Sequence, residues 1–293
     1  AFKDSYFNIL NHEWRVLEDN LITWQDSSIV VKDIFIKRKN RRKRAANISL
    51  SGKVSYDPKD TLLLKFDNIR IQPFANLAGI DASGLLQSSF KIHHGYENLQ
   101  VKGESYMYNL MLDSVLIGDI MGNKLYWEDS TQQVTIDLDL YRRSMHPMLG
   151  LYGTYRPFAK TPNRFDVSAK LQGMKLLILE PFFKPYLSKM NGSANGNLRL
   201  LGSLAKPVLK GNVNVVNGTF KINYLGSKFY FSDDLVFRKN EIAINNLKLY
   251  DNWNEYQEES TSSVLNVSGG IYHDYFSFFF SSRRRHTRSL CDW

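Results

Sequence analysis

Residues 134–140 of the chain, VTIDLDL, alternate apolar and polar side chains without interruption. Successive residues of a strand point to opposite faces of a sheet, so the apolar residues share one face and the polar residues share the other. The apolar ones are Val134, Ile136, Leu138 and Leu140. The segment therefore predicts a strand with one dry face and one wet face.

The same alternation recurs along most of the chain, and helical spacing of apolar residues is rare. The exceptions are Pro73–Ala82 and Pro181–Met190, where Pro-Phe is followed by apolar residues three to four apart, which predicts short helices. Asn191-Gly192 and Asn217-Gly218 are typical of turns between strands. The chain is expected to be all-β and mostly antiparallel, with short helical segments.

Composition places the chain among folded proteins. Its 293 residues include 43% hydrophobic and 23% charged residues, and no apolar run is long enough for a membrane helix. The net charge of +9 comes largely from Lys37–Arg44 (KRKNRRKR) and from the C-terminal stretch. Outside these two runs, basic and acidic residues are nearly equal in number.

The last residues, Phe278–Trp293 (FFFSSRRRHTRSLCDW), break the strand pattern. They resemble translated sequencing adapter, so we expect a non-native tail rather than a functional basic segment. The single cysteine, Cys291, lies in this tail. Residues 1–277 are therefore expected to form one continuous fold without disulfides or thiolate metal sites.

Landmarks recur in the same order along the chain. Trp24 matches Trp127, Gly52 matches Gly153, Pro73-Phe74 matches Pro181-Phe182, and Gly84 matches Gly192. These matches predict a repeat of about 105 residues. The expected units cover residues 20–120 and 121–200, with a partial unit over residues 201–277.

Three architectures suit one-sided strands: a closed barrel, a propeller and an open, elongated sheet. Propeller blades are about 40 to 50 residues long, which is too short for this repeat. A membrane barrel would have regular hairpins and no helix in each repeat. The favoured architecture is an open sheet curved into a hydrophobic groove. Its expected lining residues are Leu62, Leu64, Phe66, Ile69, Ile71, Val134, Ile136, Leu138, Val167, Leu198, Leu200, Val213, Val215, Phe220, Ile222, Phe229 and Phe231.

From Trp24 to Phe276 the chain resembles the periplasmic region of the TamB branch of the AsmA-like family, in its Bacteroidetes form. The most specific stretch is Asn191–His273, with G-x-L-x-G-x-L, P-x-L-x-G, NG-x-F-x-I-x-YL, F-x-D and G-x-I-x-H-x-x-F patterns. The matching residues are Gly196, Leu198, Leu200, Gly202, Pro207, Gly211, Asn217, Gly218, Phe220, Ile222, Tyr224, Leu225, Phe231, Asp233, Asp251, Gly270, His273 and Phe276. Trp253–Ser263 departs from the pattern because it is longer and more acidic than the expected turn.

This resemblance implies a repeating β-groove (β-taco) in the periplasm, anchored to the inner membrane by a segment outside this chain. It implies transport of phospholipid between the two membranes and support of outer-membrane protein assembly and secretion. The implied partners are phospholipid acyl chains, a TamA-type outer-membrane barrel and client outer-membrane proteins. The alternative is a scaffold or chaperone that pairs a sheet edge with strands of those clients.

Enzymatic chemistry has little support in the sequence, and no cofactor is expected. His93 and His94 are adjacent on a strand, so they point apart and form a poor metal site. Asp137 and Asp139 share a face like an acid–base pair, but on an alternating strand that face is expected to be solvated. The sequence lacks H-E-x-x-H, G-x-S-x-G and P-loop motifs.

The basic run between the strands at Val30–Ile36 and Ile48–Val54 is expected to form a hairpin tip. A solvated loop is the simplest interpretation. Nucleic-acid binding is disfavoured because no aromatic residues are interleaved with the basic ones. Contact with anionic headgroups is the functional alternative. Its candidate residues are Lys37, Arg38, Lys39, Arg41, Arg42, Lys43 and Arg44.

Overall fold

The computed structural model describes residues 3–9, 12–18, 20–38, 46–161, 164–203, 206–239, 241–258 and 264–272. Within these ranges, 17 strands form one antiparallel sheet that is not closed into a barrel and is accompanied by a few short helices. The expected fold class is confirmed. The tail Phe278–Trp293, residues 39 and 41–44 of the basic run, and His273 lie outside the described residues.

The strands are β1 Ser5–Ile9, β2 His12–Val16, β3 Leu21–Gln25, β4 Ser28–Arg38, β5 Asn47–Val54, β6 Thr61–Arg70, β7 Ala82–His93, β8 Gln100–Leu112, β9 Val115–Glu128, β10 Gln133–Tyr141, β11 Leu149–Tyr155, β12 Phe165–Lys175, β13 Leu187–Gly202, β14 Pro207–Ile222, β15 Lys228–Arg238, β16 Glu241–Tyr250 and β17 Val264–Tyr272. The helices are α1 Gln72–Leu77, α2 Glu180–Phe183, which follows a 3-10 turn over Leu176–Leu179, and α3 Trp253–Glu258.

The sheet is a long meander. From β4 to β17, each strand pairs with the next one along the chain. At the N-terminal end, β2 and β3 pair with different parts of the long strand β4, and β1 pairs with β2. Because every pairing except β2–β4 is between neighbours in sequence, the sheet is assembled mainly from local contacts.

The register aligns apolar residues of successive strands into rows that cross the sheet. Ile136 of β10 lies opposite Gly153 of β11, which lies opposite Val167 of β12 and then Leu200 of β13. A second row contains Leu50, Leu64 and Phe90 on β5, β6 and β7. These rows keep the apolar residues on one face across strand after strand, as alternation predicts.

Bulges interrupt the ladder at a recurrent position. The register shifts where a residue adopts positive φ: Asn68 (51°), Asn109 (51°), Gly173 (66°), Asn217 (50°) and Asn246 (57°). These residues lie on β6, β8, β12, β14 and β16. Register shifts also accompany positive φ at Asp33 (49°) on β4 and at Lys189 (53°) on β13, so six of these seven residues lie on even-numbered strands. A bulge of this kind bends its strand and increases the local twist, so the recurrence curves the sheet.

The prediction that Asn191-Gly192 and Asn217-Gly218 form turns between strands is wrong. Both pairs lie inside long strands, β13 and β14, at register shifts. Asn217 adopts the left-handed conformation that a tight turn also requires, and in the other pair it is Gly192 that has positive φ (107°). Local sequence therefore does not distinguish the two.

Side chains of the following strand satisfy four of the bulge amides. The N–H of Asn109 donates to Asp119 Oδ1 at 2.7 Å, and that of Gly173 donates to Asn195 Oδ1 at 2.7 Å. The remaining two bonds run from Asn217 N–H to Ser232 Oγ (2.9 Å) and from Asn246 N–H to Ser268 Oγ (3.0 Å). A bulge removes its residue from the ladder, so these bonds replace the partner that the amide loses.

The helical segments differ in extent from their predicted bounds. The expected helix Pro73–Ala82 is α1, which ends at Leu77, and β7 begins at Ala82. In place of a helix over Pro181–Met190, the 3-10 turn begins at Leu176, α2 ends at Phe183 and β13 begins at Leu187. Strand pairing of the residues after each Pro-Phe overrides their helical spacing. The departing segment Trp253–Ser263 contains α3, and β16 and β17 pair on either side of it.

Two glycines show how closely the strands approach. Gly211 on β14 has φ of +137°, and a methyl group added there would overlap the backbone carbonyl oxygen of Asn197 on β13. Gly269 on β17 has φ of +140°, but no atom lies within 4 Å of an added methyl group. A side chain at Gly211 would therefore meet both backbone strain and steric overlap, whereas one at Gly269 would meet backbone strain alone.

We expect Gly211→Ala to lower the free energy of unfolding by about 2 to 4 kcal/mol, because it combines strain with overlap. Gly269→Ala serves as the control and should cost about 1 kcal/mol, since only the backbone conformation is disfavoured. Urea denaturation followed by circular dichroism measures both. Equal losses would show that the close approach at Gly211 contributes nothing.

Candidate functional site

The candidate site is the apolar face of the sheet. Sixteen of the 17 expected lining residues lie on strands, and Ile71 instead precedes α1 as its N-cap. The register places Leu138 opposite Leu151, and Leu198 opposite Ala169 and Gly211. Apolar residues from many strands thus form a continuous surface that no single strand could provide.

The face is buried on the side where the bulges occur. One core cluster includes Leu140, Leu171, Val213 and Ile244 from β10, β12, β14 and β16, and Val215 is only 1% exposed. Leu176 and Ile178 of the 3-10 turn belong to the same cluster. The apolar face is therefore covered along this side, which we call the base.

The opposite side of the same face is more open. The rows that contain Leu62, Leu64, Val134 and Ile136 are partly exposed and belong to neither core cluster. Val167, in the row of Ile136, is the exception at 5% exposed. We call this partly exposed side the mouth.

The remaining lining candidates divide in the same way. Ile69 and Phe231 are buried, whereas Phe66, Leu200 and Ile222 are partly exposed. Phe220 packs beside both Phe229, with ring centroids 6.0 Å apart, and Phe231, with centroids 5.6 Å apart. The lining is thus graded from a closed base to a mouth where apolar side chains meet solvent.

The outer face of the sheet carries the polar residues. The expectation that Asp137 and Asp139 are both solvated on this face is wrong for Asp139. Asp139 is only 9% exposed and accepts hydrogen bonds from Asn123 Nδ2 at 2.8 Å and from the Tyr152 hydroxyl at 2.9 Å. The bond to Asp139, with burial, raises the pKa of Tyr152 above its ordinary value. Because Gly150 has no side chain, the Tyr152 ring can lie over it and cover Asp139.

Two residues of the basic run are described. Lys37 is exposed, and Arg38 is partly buried at the end of β4. Arg38 Nη2 donates to His12 Nδ1 of β2 at 2.8 Å. Burial, followed by repulsion from Arg70, lowers the pKa of Arg38. Arg38 therefore packs against the start of the sheet while its neighbour Lys37 points to solvent.

In the ranges that the structure describes, no group of three or more His, Cys, Asp or Glu side chains could hold a metal ion. His93 pairs instead with Thr61, with 3.0 Å between its Nδ1 and the threonine Oγ1. Burial and then the nearby Lys102 lower the pKa of His93. The same described ranges contain no helix with the length and apolarity needed to cross a membrane.

The expected lining omits several residues of the apolar face. Leu140, Leu149 and Leu171 form a row near the base, although the alternation that placed Leu140 on the dry face also marks this row. Trp14, which is only 6% exposed, lies in a second core cluster with Ala46 and Ile69. No local pattern connects Trp14 with Ile69, because the sheet brings together residues from distant parts of the chain.

Comparisons of the chain with protein-family models, with curated proteins and with solved structures find no match. The fold and the arrangement of side chains therefore carry the functional argument. The resemblance to the AsmA-like family stays a prediction that depends on the residue patterns quoted above.

We expect Val167→Asp to lower the free energy of unfolding by about 3 kcal/mol or more, because it places a charge among packed apolar groups. Ser168→Asp, at the exposed neighbouring position on the outer face, should change it by less than about 0.5 kcal/mol. Thermal and urea denaturation compare the variants. A fully stable Val167→Asp variant would contradict the assigned burial.

The lowered pKa of His93 predicts a loss of stability below neutral pH. The unfolded state takes up a proton near the ordinary pKa of about 6.5, whereas folded His93 resists protonation until lower pH. Stability contributed by neutral His93 is therefore present above that value and decreases as pH falls through this window. NMR titration should give a midpoint below 6.5, and His93→Gln should reduce the loss of stability between about pH 7.5 and 5. A midpoint above 6.5 would contradict the prediction.

Proposed function

We propose that the chain is part of a lipid conduit in which phospholipid acyl chains lie against the apolar face and headgroups stay in solvent at the mouth. The single observation that supports this is the continuity of the apolar rows, from β4 through β14, on a face that is partly exposed at the mouth. In an ordinary closed core, the apolar residues would be buried along the full length of each strand.

The energetic requirement for such a conduit is large. Moving a sixteen-carbon acyl chain from membrane to water costs on the order of 12 kcal/mol, at about 0.8 kcal/mol per methylene group. An apolar surface offsets this cost only if it is continuous, because each gap would expose methylene groups to water. The rows satisfy that condition, since adjacent strands place apolar residues or glycines side by side.

The length of the sheet also suits a conduit. Adjacent strands are about 4.8 Å apart, so the meander from β1 to β17 would extend roughly 70 Å if it were straight. We propose that it spans part of the periplasm between the inner and outer membranes, with no enzymatic step. An inner-membrane anchor outside this chain, a TamA-type barrel and client outer-membrane proteins are proposed partners because the family resemblance implies them.

A scaffold or chaperone is the second proposal. In the described residues, β17 has a register partner on one side, β16, and β1 has one partner, β2. An edge strand presents unpaired backbone groups that can bind an incoming strand. The conduit requires the apolar mouth, whereas the scaffold requires only an edge, so a substitution at the mouth distinguishes them.

We expect Ile136→Asp to reduce copurifying phospholipid by about tenfold, because a hydrated carboxylate at the mouth interrupts the apolar rows. Thr135→Asp is the matched control, since it adds the same charge to the same strand on the outer face and should leave lipid content unchanged. Both proteins are purified without detergent, and their extracted phospholipid is quantified by mass spectrometry. Equal lipid in two folded variants would reject the conduit and favour the scaffold.

A further inference from the structure

Two connecting segments meet at one end of β13, β14 and β15. Residues 181–190 run from α2 into β13, and residues 221–230 contain the turn between β14 and β15. The N–H of Asn223 donates to the carbonyl oxygen of Tyr186 at 2.9 Å, and Nδ2 of Asn223 donates to the carbonyl oxygen of Lys184 at 2.9 Å. These bonds hold the two segments together, and we call the pair the tyrosine tip.

The turn presents its apolar side chains to solvent. The N–H of Ile222 donates to the carbonyl oxygen of Ser227 at 3.0 Å, and the N–H of Gly226 donates to the carbonyl oxygen of Ile222 at 2.9 Å. Tyr224 and Leu225 lie within this closed turn, where they are 95% and 59% exposed. Because backbone bonds fix the turn, both side chains are held outside the packed part of the sheet.

The other segment adds exposed side chains beside them. Tyr186 is 61% exposed, and Phe182 of α2 is also exposed. Large apolar and aromatic side chains from both segments thus occupy one region of the surface. Such clusters on a folded protein mark places that contact a membrane or another protein. The proposed conduit gives this region no role, since it uses the apolar face of the strands.

The charge of the tyrosine tip is positive. Its two segments contain no Asp or Glu and four lysines: Lys184, Lys189, Lys221 and Lys228. Lys184 lies 4.0 Å from the carboxylate of Asp113 in the turn between β8 and β9, and Glu180 accepts a hydrogen bond from the N–H of Met190. The other three lysines form no ion pair within the described part of the chain. A negatively charged surface would supply their counter-charge.

A membrane suits this tip better than a protein partner does. A stable protein interface takes about 800 Å² and 20 to 30 residues from each partner, which is more than a protruding turn offers. A membrane needs only a few side chains, because its surface adapts to them. Tyrosine rings lie at the level of the headgroups, and lysines extend their amines to anionic headgroups.

We propose that the tyrosine tip docks on a membrane surface that contains anionic phospholipid. Tyr186, Tyr224 and Leu225 enter the headgroup region, and the lysines of the tip face the anionic headgroups. The tip is separate from the apolar rows, so this inference does not depend on lipid lying in the proposed conduit.

The test places a fluorophore on the turn of the full chain. Cys291→Ser removes the single cysteine, and Ser227→Cys introduces one thiol at an exposed position of the tip. The thiol carries the fluorophore NBD, whose emission shifts to the blue when it leaves water. Vesicles of phosphatidylcholine with about one third phosphatidylglycerol are added at low salt, where charges are little screened. We expect a saturable blue shift, and at least about tenfold weaker binding to vesicles of phosphatidylcholine alone.

A second position separates the tip from other sources of positive charge, since the basic run Lys37–Arg44 also favours anionic vesicles. Ser130→Cys places the same fluorophore in the exposed turn between β9 and β10. We expect no blue shift there, because that turn lies outside the tip and carries no comparable cluster of lysines.

Matched substitutions, compared by cosedimentation with the same vesicles, test the side chains. Tyr224→Ser should weaken binding about fivefold, because the ring no longer enters the headgroup region. Tyr56→Ser removes another exposed tyrosine, from the turn between β5 and β6, and should leave the affinity unchanged. Lys228→Gln should also weaken binding about fivefold, whereas Lys65→Gln removes an exposed charge from β6 and should have no effect.

An unshifted fluorophore at Ser227→Cys, an equal shift at Ser130→Cys, or equal affinities for Tyr224→Ser and Tyr56→Ser would overturn the proposal. Self-association that depends on Tyr224, seen by sedimentation velocity without vesicle binding, would assign the tip to a second copy of the chain instead. Copurifying phospholipid is measured separately. Vesicle docking without copurifying lipid would keep the tip and reject the conduit, and the reverse result would reject the tip and keep the conduit.

Discussion

The backbone register between neighbouring strands is the constraint on which the rest of this structure depends. A shift of one residue in any pairing would turn the apolar side chains of one strand toward the polar face. The rows would then be broken at that strand, and the surface proposed for acyl chains would end there. A continuous apolar face therefore requires that every pairing from β4 onward keep the same phase, meaning that the apolar residues of both strands point to the same face.

The bulges would threaten that phase if they were scattered. Each one adds a residue to one strand, but the five at Asn68, Asn109, Gly173, Asn217 and Asn246 occur near the same level of the sheet. Apolar residues pack on both sides of this level, for example Val215 before Asn217 and Phe220 after it. The bulges thus bend the strands near the base while preserving the apolar face. The side-chain acceptors on the following strands lower the cost of this bend.

The division between base and mouth follows from that bend and from the helical segments. The 3-10 turn at Leu176–Leu179 covers one part of the base and joins its core cluster. Among the described residues, Leu64 and Ile136 belong to neither cluster and stay partly exposed. A sheet that is stabilised at its base can keep apolar side chains partly exposed at its mouth without collapsing. Val167 and Ile136 lie in one row at the mouth with Gly153 between them, and they are expected to respond differently to a carboxylate because Val167 is buried whereas Ile136 is partly exposed.

The sequence by itself determined the all-β fold, the two faces of the strands and most of the residues that lie on the apolar face, because alternation is a local property of a pleated backbone. Tertiary structure alone decided that Asn191-Gly192 and Asn217-Gly218 are bulges rather than turns, since the positive φ of Gly192 and of Asn217 would suit a tight turn equally well. It also decided that Asp139 is covered by Tyr152 and that Val167 is buried while Ile136 is partly open. Trp14 on β2 and Ile69 on β6 pack in one cluster only because the folded sheet brings these strands together, and no local pattern records which distant residues a sheet will bring together.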